Sequence, residues 1–263
     1  MQAKLFDLQG NEVGIKELPD VFSTKVNERL IRRAFWALFS HSLQPKGRDP
    51  FAGERTSAQS WNTGRGVSRV ARVKGERHPR AGQAAGVAGV VKGRLAKPPR
   101  AEKNLWLHIN KKERRLALLS AIAAVSSPEL VRLRGHKLPD GMATPILIKD
   151  ELESVKNTSD LEALFDRLGI KAEIERVVKR KQKAGKARWR GRSKRIGVGP
   201  LIVYSKDNGI AKAARGIPGV DAVQVNNLSV SDLAPGGRPA RLCIFSESAI
   251  TELGSKKVMM IAA

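Results

Sequence analysis

The sequence predicts an α/β fold: a single domain whose mainly parallel sheet is flanked by helices, with a long extended basic loop inserted between two of those helices. Three observations carry this reading. Short apolar runs alternate with amphipathic stretches from about residue 145 onward, as in a parallel sheet covered on both faces. Between Gln44 and Asn104, nine Gly and five Pro accompany only nine of Val, Ile, Leu, Met, Phe and Trp. So little apolar surface cannot offset the cost of ordering the backbone, which marks the stretch as a functional or disordered excursion rather than core. The charge, +24 over 263 residues, is concentrated: 14 Lys+Arg against four acids in 44–104, and 11 against none in Arg176–Arg195, leave +3 for the remainder.

In chain order, Lys4–Leu18 reads as a hairpin turning at Gly10-Asn11. Glu28–His41 follows as an amphipathic helix, with Leu30, Ile31, Ala34, Phe35, Leu38 and Phe39 at 3/4 spacing. Beyond the loop, Asn110-Lys-Lys-Glu113 resembles a capping box opening a helix whose stripe is Leu116, Leu119, Ile122, Ala123 and Val125, ended by Ser126-Ser127-Pro128. Pro145–Lys149, Leu201–Tyr204, Ala222–Val225 and Leu242–Phe245 are apolar enough for buried strands. Helices are expected at Asp160–Leu168, opened by Ser159-x-x-Glu162 and closed by Gly169, then at Asn208–Arg215, Val230–Leu233 and Glu247–Leu253. The organisation is a globular body over 1–43 and 105–263, the inserted loop over 44–104, and a basic strap over 176–195 within the body.

Composition excludes several classes. One cysteine rules out a disulfide scaffold and a Cys-based zinc site, and Cys243, inside an apolar run, reads as core. No run of about 18 apolar residues spans a membrane, and the start MQAKLFDLQGNEVG lacks the basic and apolar regions of a secretion signal. Gly82, Gly86, Gly89 and Gly93 have neither the spacing nor the preceding strand of a phosphate loop. His41, His78, His108 and His136 are scattered and read as surface or RNA-facing residues; no metal site and no cofactor are expected. The rival is an α/β nucleic-acid-processing enzyme gripping substrate with its basic segments. It would need a carboxylate or histidine cluster at the carboxyl ends of the strands, where the nearest acids are Asp150, Glu151, Asp207 and Glu247. Asp207 and Glu247 also stand where helix caps or first-turn acids belong. Binding to an anionic membrane ranks last, for want of a basic amphipathic helix with aromatic anchors.

A polyanion is the partner that such charge calls for. In the strap, Lys179, Arg180, Lys181, Lys183, Lys186, Arg188, Arg190, Arg192, Lys194 and Arg195 have no acid to pair with, so self-repulsion should keep the free segment extended and its charges available to phosphates. Trp189, between two arginines, can stack on an unpaired base or dock on the protein's own core. In the loop, Lys46, Arg48, Arg55, Arg65, Arg69, Arg72, Lys74, Arg77 and Arg80 alternate with Gly, and Lys92, Arg94, Lys97 and Arg100 continue the pattern. Glycine lets backbone approach phosphates while guanidinium forks bond them bidentately.

The residues also resemble a known family. Leu5-Phe6-Asp7-Leu8-x-Gly10, Leu18-Pro19-Asp20-Val21-Phe22, Phe51-Ala52-Gly53, Gly64-Arg65-Gly66 and Lys92-Gly93-Arg94 with Pro98-Pro99 occur in order. Lys183–Arg192 leading into Gly199-Pro-Leu-Ile-Val203, Ala214-Arg215-x-Ile217-Pro-Gly219-Val220 and Leu233-Ala-Pro-Gly-Gly237-x-Pro239 complete the set. Together they resemble the universal L-four family of large-subunit ribosomal proteins in its archaeal and eukaryotic form. Lys97 replaces the family's usual His, and Ala240 its Gly. The resemblance implies a non-catalytic, cytoplasmic ribosomal scaffold whose partners are large-subunit ribosomal RNA, neighbouring ribosomal proteins and the nascent peptide. It also implies a loop tip, here Trp61, Asn62, Thr63, Gly64, Arg65, Gly66, Val67, Ser68 and Arg69, lining the peptide exit tunnel.

Overall fold

In the computed structural model the described residues are 1–255 other than Asp140, Arg180 and Ile196; Lys181 and Arg195 are described by backbone alone. The chain divides into two compact units: the inserted residues 41–106, and a body formed by 1–40 with the chain from Leu107 onward.

The body begins with β1 (Gln2–Phe6) and β2 (Glu12–Glu17), an antiparallel hairpin, and α1 (Glu28–Ser40). The inserted unit contributes β3 (Ala58–Gln59) and β4 (Arg72–Val73). After it come α2 (Lys111–Val125), α3 (Pro128–Arg134), β5 (Ile146–Ile148), α4 (Thr158–Arg167) and α5 (Lys171–Val178). The basic strap holds β6 (Lys181–Gln182), α6 (Lys186–Trp189) and β7 (Lys194–Arg195). Then follow β8 (Leu201–Tyr204), α7 (Ile210–Gly216), β9 (Asp221–Gln224), α8 (Val230–Leu233), β10 (Cys243–Ser246) and α9 (Glu247–Gly254).

The six-stranded sheet runs β2-β1-β5-β10-β8-β9. Every pairing in it except β1–β2 is parallel. The two-residue period of a strand sorts its side chains between two cores. Leu147, Val203 and Phe245 face one layer, with Phe22, Ile31, Ile122 and Ile250. Ile146, Ile148, Ile202 and Ile244 face the other, with Leu161, Phe165, Ala213 and Ile217. Because β5, β8 and β10 are buried on both sides, they read as unbroken apolar runs, and the expected mainly parallel sheet between helices is the observed one.

Four local expectations are corrected. The Asn110 side chain makes no cap; α2 opens instead with its backbone carbonyl accepting from the Arg114 N–H at 2.9 Å. Leu116, expected in the buried stripe, is exposed. Ser159 does not open its helix, which starts at Thr158 behind Asn157. The basic strap is not extended: Lys181 pairs antiparallel with Arg195 and Gln182 with Lys194, with α6 between them. Backbone bonds such as Lys183 N–H to Ser193 carbonyl, 2.7 Å, hold that hairpin closed against its own charge.

Candidate nucleic-acid interface

The inserted unit has more internal order than its composition implies. β3 pairs antiparallel with β4, and 83–85 lies along the other side of β4 through Val73 N–H to Gln83 carbonyl and Ala85 N–H to Ala71 carbonyl, both 2.9 Å. Val73 and Ala85 are buried beneath this small ladder. Trp61 seals it. The Arg65 and Arg72 guanidiniums sit 5.5 and 5.4 Å from its ring centroids. Gly82, at φ +71°, lies so close to the ring that a Cβ there would come within 2.9 Å of it. Arg72 also donates to the Gly82 carbonyl at 2.9 Å and to Ser68 Oγ at 3.2 Å. A second close approach joins Gly53 to Gly93, where a Cβ would meet backbone at 2.5 Å.

Most of the cations named from the sequence in this unit face solvent. Lys46, Arg48, Arg55, Arg65, Arg69, Lys74, Arg77, Lys92, Arg94, Lys97 and Arg100 are exposed, while Arg72 and Arg80 are half-buried. Arg55 pairs with Asp49 at 2.5 Å, holding that carboxyl below the usual carboxylate range, and Arg94 pairs with Glu54 at 3.5 Å. Arg80 donates to the Val91 carbonyl. The segment Trp61–Arg69 is exposed throughout.

The strap hairpin is the more open of the two basic regions. Lys179, Lys183, Lys186, Arg188, Arg190, Arg192 and Lys194 are exposed, and Trp189, at the end of α6, is 84% exposed. Docking of Trp189 on the core is therefore excluded. Arg180 lies outside the described residues, as do the Lys181 and Arg195 side chains. Arg176, counted in the strap by composition, serves its base instead. Its guanidinium holds Glu173 through Nε to Oε2, 2.8 Å, and Nη2 to Oε1, 2.7 Å, and reaches the Val198 carbonyl at 2.7 Å.

The sequence gives no sign of Glu173 or of its pairing with His136. Glu173 is fully buried and also accepts from the Lys137 N–H at 2.9 Å, with His136 Nδ1 at 2.6 Å. The His136 side chain is 1% exposed, so its expected surface role is wrong. Burial pushes its pKa down against the opposing pull of Glu173, whereas hydrogen bonds from Arg176 and His136 outweigh burial and lower that of Glu173. Cys243 is buried as expected, and burial pushes its thiol up to about 12.

The carboxyl ends of the strands hold no reactive constellation among the described residues. Asp150 accepts from the Ser248 N–H at 2.7 Å, and Asp207 caps α7 through the N–H groups of Gly209 and Ala211. Glu247 pairs with Lys16 at 3.0 Å, and Glu151 is exposed. The carboxylate that does sit there, Glu153, was not singled out. It is buried and saturated by Ser205 N–H, Lys206 N–H, Ser246 Oγ and Ser248 Oγ at 2.7–3.2 Å, which makes it a joint between strand ends.

The described residues thus form an α/β body bearing a cationic hairpin, together with a second cationic unit folded on its own glycines. The chain belongs to the ribosomal protein L4/L1 family, whose sequence profile matches residues 16–256. It is 45% identical over 254 residues to the large ribosomal subunit protein uL4 of Methanopyrus kandleri, covering 96% of this chain and 98% of that one. It is 44% identical over 257 residues to uL4 of Saccharolobus solfataricus, covering 97% and 94%. The uL4 of Saccharolobus islandicus is 42% identical over 254 residues, covering 96% and 93%. These relatives are named as large ribosomal subunit proteins. Ala240, where the resemblance leads one to expect Gly, has φ +65°, a region that glycine adopts without strain.

Proposed function

We propose that the protein is a structural component of the large ribosomal subunit that binds ribosomal RNA, supports subunit assembly, and presents Trp61–Arg69 to the nascent-peptide exit tunnel. It works in the cytoplasmic ribosome beside other large-subunit proteins. The observation that carries this reading is the strap hairpin, whose exposed cations pair with no acid among the described residues and whose Trp189 is 84% exposed. Lys and Arg neutralise closely packed phosphates and release their counterions, Trp189 supplies a stacking face, and Trp61 shapes the segment that meets the tunnel.

Binding of the full chain to a large-subunit ribosomal RNA transcript should weaken steeply with salt. Each phosphate contact adds a log–log slope of about −0.7 to −0.9. A flat response between low and physiological salt would refute the electrostatic mechanism. In assembled subunits, a photo-crosslinker replacing Val67 should capture the nascent chain; capture of RNA alone would leave the scaffold reading intact and remove the tunnel role.

A further inference from the structure

The charge map leaves the body nearly neutral, yet the fold gathers three arginines that are far apart in sequence. A cleft of about 290 Å³ between α1 and α3 is lined by Glu28, Arg32, Leu130, Leu133, Arg134, Arg238 and Pro239, three arginines to one acid. The turn at 235–239 organises it. Arg134 donates to the Pro235 carbonyl at 2.8 Å and the Pro239 carbonyl at 3.2 Å, and also to the Arg238 carbonyl. The Arg32 stem packs on the other side of that turn, 3.3 Å from where a Cβ on Gly237 would stand. Arg134 is spent on this clamp, whereas the Arg32 and Arg238 side chains are exposed and have no hydrogen-bond or ion-pair partner among the described residues.

We propose that this cleft is a third ribosomal-RNA contact, a phosphodiester site on the body in which the free guanidiniums of Arg32 and Arg238 close on one stretch of backbone. The proposal rests on the reading of the chain as an RNA scaffold and extends it to a face that neither basic segment supplies. Crowded positive charge marks the spot. Burial first, then the neighbouring charges of Arg241, Arg238 and Arg176, lower Arg134 to about 10, and an anion in the cleft relieves that crowding. The rival occupant, an acidic peptide, is less well served. Leu130, Leu133 and Pro239 are the cleft's apolar lining, whereas the centre of a protein–protein interface is broad, apolar and poor in charge. Two unpaired guanidinium forks suit the non-bridging oxygens of phosphates.

The test uses the full chain carrying R32A and R238A together, leaving the Arg134 clamp intact, against an in vitro transcript of large-subunit ribosomal RNA. The double variant should melt as the parent does and bind with a log–log salt slope shallower by about 1.4 to 1.8, the contribution of two phosphate contacts. An unchanged slope overturns the site. A parent chain whose own binding ignores salt overturns the scaffold mechanism as well, so the two failures are told apart by which protein shows them. A photo-crosslinker at Leu133, which is 80% exposed, supplies the second arm in reconstituted large subunits. Crosslinks to RNA support the proposal; crosslinks to a protein assign the cleft to an acidic peptide instead, and absence of any crosslink overturns it.

Discussion

Trp61 and Trp189 stand in nearly the same sequence company and in opposite structural roles. Each lies in a stretch of arginine, glycine and small residues. Trp189 projects from a four-residue helix and is 84% exposed; Trp61 is 38% exposed, with guanidiniums at its ring and Gly82 pressed against it. The difference comes from what returns to meet the ring. In the inserted unit, the chain doubles back twice, and Arg72 and Gly82 arrive from later passes. In the hairpin the two flanking strands pair below the tip, and among the described residues no later pass of the chain covers Trp189. A tryptophan in an arginine- and glycine-bearing stretch is thus a foldon keystone or a bare stacking surface according to topology alone.

The largest effect that separates the two is on RNA affinity. Trp189→Ala should weaken binding to a large-subunit ribosomal RNA transcript by about 1–3 kcal/mol, the value of one base–aromatic stack, while leaving the melting temperature and the salt slope unchanged. Unaltered affinity would make Trp189 an exposed bystander. Trp61→Ala should act through order in its own unit. Losing two cation–π contacts of about 0.5–1 kcal/mol each should open 57–85 to limited proteolysis while the body stays resistant. Equal cleavage patterns for parent and variant would show that the ladder around Val73 holds without its tryptophan.

What could be read from sequence follows the same division. The sheet was legible because β5, β8 and β10 are apolar on both faces and their helices carry one-sided stripes, signals that are local in the chain. The opening bound drifted at Ser159, and Asn110 kept its N-cap position without its side-chain bond, because cap residues in a sequence offer alternatives that only the approach of other elements decides. The basic segments were legible as charge, but their internal order was not. The ladder of the inserted unit rests on backbone bonds and on two glycine approaches, Gly53 with Gly93 and Gly82 with Trp61, that leave no apolar period. The roles of Glu153, Glu173 and His136 escaped for a related reason. A buried polar residue looks like a surface one until its partners, 36 to 95 positions away for Glu173 with Lys137 and Glu153 with Ser248, are brought beside it.

The smallest effect concerns how the bare hairpin is kept in place. Arg176, just before it, and Val198, just after it, are tied through Glu173 to His136 on the far side of a buried cluster. Both His136 and Glu173 have their pKa values lowered from 6.5 and 4.5. A lowered folded pKa means that the group's contribution is present above its unfolded value and is lost as pH falls through its folded value. Stability of the body should therefore hold above about pH 6.5, decline once His136 must take up a proton inside the cluster, and decline again as Glu173 is neutralised. His136→Gln removes the first decline and keeps the second. Thermal melts of parent and variant between pH 7 and 5 read the difference directly: parallel curves would mean that His136 does not titrate with unfolding, and that Arg176 and Glu173 hold the hairpin base without it.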